Sequence, residues 1–224
     1  HRDLHSFPTR RSSDLIDSRM PDIPLPARKT KPVEAVHSKK APVIDGTVAQ
    51  GEWPGNSYYL DRDITRRPCS GRPVIMKALY DDTYLYIGVI VDMYKTKNLC
   101  LGDAWGKNDG VEISIAGTGK GNAVTYIIHS YANGALQSMT EGGSTAQTAA
   151  HPGKKVHYAA KVNDSGWVGE WAIPLDAVGL RAKPGQSVAF NVCAFVNEYG
   201  NWHCWEGTRA ESWRTDQAGM LLFK

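Results

Sequence analysis

Val74-Ile-Met-Lys-Ala-Leu-Tyr80 and Tyr84-Leu-Tyr-Ile-Gly-Val-Ile-Val-Asp92 are separated only by Asp81-Asp-Thr83. Asp favours turns, and both flanking runs are rich in β-branched and aromatic residues, so the stretch predicts a hairpin. The second run is apolar at odd and even positions alike. A strand with one wet face would alternate, so this one is expected at the centre of a sheet with both faces covered.

Strands elsewhere can supply that cover. Val111–Ala116, Ala123–Tyr131 and Ala135–Met139 read as strands with Gly-rich breaks between them. Lys155–Val162 and Trp167–Pro174 make a second hairpin over Asn163-Asp-Ser-Gly166. Ser187–Glu198, Trp202–Glu206 and Gly219–Phe223 complete the set, and Leu175–Val178 is at most one helical turn. Many short strands with almost no helix predict an all-β fold, an antiparallel β-sandwich or jelly-roll. The domain is expected over residues 41–224, opening at Val43-Ile-Asp-Gly46. No apolar run is long enough to span a bilayer, so no membrane partner is expected.

The front of the chain reads differently. His5-Ser-Phe-Pro-Thr-Arg-Arg-Ser-Ser-Asp-Leu15 resembles a translated sequencing-adapter primer. Residues 1–15 are therefore expected to be an artefact of metagenomic assembly, outside fold reasoning. Residues 16–40 are rich in Pro, Arg and Lys and read as a linker or extended arm. The front also carries Arg2, Arg10, Arg11, Arg19, Arg28, Lys29, Lys31, Lys39 and Lys40, against a whole-chain net charge of +3. The domain itself is thus close to neutral, which argues against a nucleic-acid face.

Cys69, Cys100, Cys193 and Cys204 contain no CxxC pair, so a zinc or thioredoxin-type motif is not expected. If Asn197-Glu-Tyr-Gly200 is a four-residue hairpin loop, Val196 faces Asn201 and Cys193 faces Cys204, within reach of a bridge. Cys69 and Cys100 flank the 73–92 hairpin and are the expected second pair. Two bridges would imply an oxidising, extracellular compartment.

Trp105-Gly-Lys-Asn-Asp-Gly-Val-Glu112 places an indole beside a strand carrying Asp109 and Glu112, and Trp213 sits among polar residues near the chain's end. Sugars have apolar CH faces that stack on aromatic rings and hydroxyls that donate to carboxylates. Seven Trp and ten Tyr against four Phe favour such a wet aromatic surface. Trp202 and Trp205 flank Cys204; they are expected on one strand face, either packed inside or widening the binding surface. Trp53, Trp167 and Trp171 are expected in the core.

These landmarks, in order, are Val43-Ile-Asp-Gly46, Trp53, Lys77–Tyr86, Asp92, Trp105, Asp109–Glu112, Gly169-Glu-Trp-Ala-Ile-Pro174, Phe190-Asn-Val192, Trp213-Arg214 and Gly219–Phe223. Their order resembles the family 9 carbohydrate-binding modules, which are attached to xylanases and related secreted proteins. The resemblance covers residues 41–224. It implies a sugar slot between two tryptophans, no catalysis, bound calcium, and in some members recognition of a glycan's reducing end. Trp105 and Trp213 match the sandwiching tryptophans, Glu112 matches a carboxylate that holds sugar hydroxyls, and Asp92 stands where the family has a calcium ligand. The ligand implied is a plant-type polysaccharide or oligosaccharide such as xylan or cellulose, with a catalytic domain upstream in the native gene product. The family's other polar contacts fall within 126–131 and just before Trp213, where Ile128 and Ala210 are unsuited to the role.

Two other classes stay open. Glycoside hydrolysis needs two acids about 5–10 Å apart, and Glu170 is a candidate partner for Asp109 or Glu112; its setting reads as an edge strand with an outward acid. A haem-binding cytochrome-like sandwich needs an axial Met/His pair, for which Met76, Met93, Met139 and the histidines are candidates without a local signature. His129, mid-strand, reads as incidental.

Overall fold

The computed structural model describes residues 26–29, 31–117, 124–140 and 152–224. The stretch expected to be an artefact, 1–15, lies outside the described residues, as do residues 16–25 and 30 of the expected arm. Among the described residues there are twelve strands: β1 (Val33–His37), β2 (Tyr58–Tyr59), β3 (Val74–Tyr80), β4 (Tyr84–Asp92), β5 (Gly110–Ala116), β6 (Thr125–Tyr131), β7 (Leu136–Met139), β8 (His157–Asn163), β9 (Gly166–Pro174), β10 (Ser187–Val196), β11 (Asn201–Cys204) and β12 (Gly219–Phe223). The predicted bounds of β3, β4 and β12 are met to the residue.

The strands form one sheet in the order β7-β6-β5-β10-β12-β1-β3-β4-β9-β8, with β11 on β10 and β2 on β3. The sheet curls until it nearly closes into a barrel. Every strand pairing is antiparallel except the two made by β1, which runs parallel to β12 and to β3. The all-β reading holds, but the sheet is mixed rather than purely antiparallel. The cause is residues 33–37, which lie inside the stretch read as a linker. They are the strand that joins the two arms of the sheet, with Val33 and Ala35 at 0% exposure in the core.

β4 lies between β3 and β9, covered on both faces as its pattern demanded. Leu85, Ile87, Val89 and Val91 enter the main core. Tyr86 instead packs with Trp53, Leu79 and Ala172 in a second cluster, beside Val36, Ile44 and Val48. The 41–56 segment thus lies over the outer face of this arm. A Cβ on Gly88 would stand 2.8 Å from Val48, so this strand position must be bare for the segment to approach.

Glu170 holds that segment down. Its Oε2 accepts the backbone N–H of Asp45, Gly46 and Thr47 at 2.9, 2.7 and 3.0 Å. Its Oε1 accepts the Trp53 indole N–H at 3.0 Å. The expectation of an outward acid on an edge strand is therefore corrected: β9 is internal, β8 is the edge, and Glu170 is fully buried. Trp53, Trp167 and Trp171 are buried, as expected.

The β10–β11 register places Val196 opposite Asn201 and Cys193 opposite Cys204, and those two cysteines are bonded. The second expected bridge is not formed. Cys69 and Cys100 are free thiols. The Cys69 thiol donates to the Trp202 carbonyl at 3.3 Å, and burial pushes its pKa up to about 12. The Cys100 sulfur accepts from the Asn108 amide. Flanking a hairpin brings two chain ends to one edge of a sheet, but each thiol here is held by a different loop.

Candidate functional site

β5 pairs with β6 so that Glu112 lies opposite His129, and with β10 so that Glu112 lies opposite Cys193. Directly opposite residues share a face. His129, Glu112, Cys193 and Cys204 therefore form one row across four strands, braced at one end by the disulfide. Above this row opens a cleft of about 350 Å3. Trp105, Trp202 and Trp213 line it, with Glu112 and His129 also lining it and Glu211 contributing from the 206–218 loop.

Glu112 and His129 form a buried pair, their side chains each 2% exposed. The His129 Nε2–H is placed to donate to Glu112 Oε2 at 2.8 Å, and the Ser114 hydroxyl donates to Oε1 at 3.3 Å. The Trp105 ring stacks on His129, with centroids 4.3 Å apart and planes 21° apart. Trp202 leans on Trp105 at 4.9 Å and on Phe195 at 4.8 Å. One face of the Trp105 indole is thus backed by the protein, and the three tryptophans surround an apolar opening over a polar floor.

Each wall is fixed by a buried polar residue. On the Trp105 side, Asp109 accepts the N–H of Cys100 at 2.7 Å and of Asn197 at 3.1 Å. Burial raises the Asp109 pKa, and those backbone bonds partly offset the shift. Asn108 staples the same loop, donating to the Leu101 carbonyl and accepting from the Ala104 N–H. On the Trp213 side, Asn191 in β10 donates to the carbonyls of Glu206 and Ser212, each at 3.0 Å. Thr208 donates to the carbonyls of Ala210 and Glu211. The Phe-Asn-Val landmark thereby positions Trp213 from beneath.

Of the residues singled out in the sequence, Trp105, Glu112 and Trp213 meet in this cleft. Asp109 does not line it; its carboxylate is spent inside the Trp105 loop. Trp205 does not line it either. It is 6% exposed, edge-on to Tyr58 at 5.4 Å, with the Lys29 ammonium 3.9 Å above its ring. The expectation that Trp202 and Trp205 share a face fails because they lie an odd number of residues apart, and strand side chains alternate. Ile128 is in the core, and Ala210 lines the cleft without a polar group, so both leave that role empty as expected. The polar residue of β6 is its neighbour, His129.

Asp92, the residue expected to hold calcium, lies at the end of β4. Its carboxylate faces the Arg72 guanidinium at 3.2 Å. Among the described residues, no group of three or more His, Cys, Asp or Glu side chains gathers to hold a metal. Nor does the described structure bring Glu170 to the cleft as a second acid, and the cleft that His129 lines contains no methionine.

Comparison with known proteins bears on this geometry. A family model described as carbohydrate family 9 binding domain-like matches residues 44–219. A carbohydrate-binding module of family 9 from Caldicellulosiruptor kristjanssonii, solved in complex with glucose, has 15% identity and a TM-score of 0.57, covering 85% of this chain and 95% of its own. A family 9 module from the same organism, solved with cellotriose, has 14% identity and a TM-score of 0.55, covering 87% and 94%. At such identity the likeness is one of fold. No curated protein sequence matches the chain.

Proposed function

Since the chain belongs to the carbohydrate family 9 binding domain-like family, we propose that it is a non-catalytic carbohydrate-binding module whose ligand enters the Trp105–Trp213 cleft. The observation that carries this reading is convergence. Trp213 lies far along the chain from the Trp105–Glu112 segment, yet all three residues line one small cleft. A terminal sugar ring would stack between the two indoles, and its hydroxyls would donate to Glu112. The cleft volume is that of a small-ligand site. The scaffold reads as a sandwich, its two layers being the β5–β6–β10–β12 and β3–β4–β9–β8 arms, with β1 shared.

The burial of Glu170 away from the cleft supports binding rather than hydrolysis. Glu170 is sealed under the 45–47 backbone and Trp53, so the acid pair considered from sequence is not formed. For the ligand class, the family 9 modules of similar fold were solved with glucose and cellotriose. We extend that to plant-type β-linked glucan or xylan here, met outside the cell by a module linked to a catalytic domain. The Cys193–Cys204 bridge favours that compartment.

The test is single substitution of the cleft walls. Stacking on one ring contributes about 0.5–1.5 kcal/mol beyond area burial. Trp105→Ala or Trp213→Ala is therefore expected to weaken oligosaccharide binding about tenfold or more, measured by calorimetry, with a cooperative thermal transition retained. Unchanged affinity in both variants would refute the stacking site.

A further inference from the structure

Building on the sugar-binding reading, we propose that this cleft selects by ligand charge: it takes neutral and ammonium-bearing sugars and rejects sugars that carry a carboxylate. The charged side chains that line the cleft are Glu112 and Glu211, and no Lys or Arg lines it among the described residues. The remaining walls are indole rings, Ile64, Ala210 and small polar groups. Glu112 is the one that matters most, because it is 1% exposed at the floor, where charge is poorly screened. A uronate carboxylate brought over it would lose its water beside a like charge. An ammonium in the same place would gain a partner.

His129 does not reverse this. Its Nε2–H is directed at Glu112, and its Nδ1 is buried beside the stacked Trp105 ring with no hydrogen-bond partner among the described residues. The ring therefore offers no exposed cationic donor to an incoming carboxylate. The cations nearest in sequence are committed or exposed. Arg214 forms a two-point pair with Asp216, 2.9 Å at each contact. Arg62 and Arg66 face the buried Glu206. Lys107 and Arg209 are exposed, and neither lines the cleft.

The experiment titrates the full chain with glucose, glucosamine and glucuronate, which share one ring, following tryptophan fluorescence at low and high salt. Glucuronate is expected to bind at least tenfold more weakly than glucose, and glucosamine at least as tightly as glucose. The glucose-to-glucuronate ratio is expected to shrink in Glu112→Gln and, less so, in Glu211→Gln, whose exposed position spares the fold. Glucuronate binding within threefold of glucose would overturn the charge selection while leaving the sugar site standing. Binding of none of the three would overturn the sugar-binding reading, and this inference with it.

Discussion

A chain that begins at residue 41 is expected not to fold. Such a chain keeps the whole 44–219 span of the family match but loses β1. That strand pairs Val33, Glu34 and Ala35 with Leu221, Leu222 and Phe223 on one edge, and Val36 and His37 with Leu79 and Tyr80 on the other. Neighbouring backbone bonds close the same seam: Lys224 N–H to the Ala35 carbonyl at 2.9 Å, and Ser38 N–H to the Tyr80 carbonyl at 2.7 Å. Losing β1 opens both the β12 and β3 edges and uncovers the core where Val33 and Ala35 are fully buried. Burying a side chain such as Val contributes about 1.5–3 kcal/mol. Each buried backbone group left unpaired costs about 1–3 kcal/mol. Several of these together consume a net stability of about 5–15 kcal/mol. Circular dichroism of a 41–224 fragment is expected to show no cooperative melt. A melt within a few degrees of the full chain would contradict the bridging role of β1. Ala35→Asp, which buries a charge at the same seam, is the single-residue version.

The second large effect is expected at Glu170. Glu170→Ala removes the acceptor for three backbone N–H groups and one indole N–H at once. The freed 44–48 segment can lift and meet water, so the four losses do not simply add. Destabilisation of about 3–4 kcal/mol is expected by chemical denaturation, against about 1–3 kcal/mol for one orphaned donor. Glu170→Gln keeps one acceptor oxygen but turns an NH2 toward the donors, and is expected to lose about half as much. Glu170 holds the 45–47 segment and does not line the cleft, so sugar affinity in Glu170→Gln is expected to match that of the unaltered chain. A loss under about 1 kcal/mol in Glu170→Ala would mean the segment is held by Trp53 packing rather than by the carboxylate.

The contrast between β4 and β1 shows what a sequence makes legible. β4 announces itself because six of its nine residues are β-branched or aromatic, its partner β3 adjoins it, and a turn lies between them. β1 has five residues in a Pro- and Lys-rich stretch, and its partners lie far off in sequence, β12 at the other end of the chain. Nothing local marks it as a strand. The same distinction runs through the cleft. Trp105, Glu112 and Trp213 are readable as two indoles and a carboxylate in polar settings, with the family's order of landmarks to link them. His129 reads as incidental in the sequence, because one histidine in a strand has no spacing signature. Its role rests on the β5–β6 register that sets it against Glu112, and on Ile128 taking the core side. Cys193–Cys204 was legible for the opposite reason, since a four-residue loop fixes the register on its own. Cys69 and Cys100 had no such loop between them.

The central claim is that the cleft over Glu112 and His129 holds the end of a glycan. It is tested most directly by screening plant oligosaccharides against the full chain, in native and borohydride-reduced forms, by tryptophan fluorescence. Saturable, one-site changes with micromolar to millimolar Kd are expected, weakened when the terminal ring is opened by reduction. No response to any oligosaccharide would contradict the account, and equal binding of both forms would move the ligand out of the slot between Trp105 and Trp213.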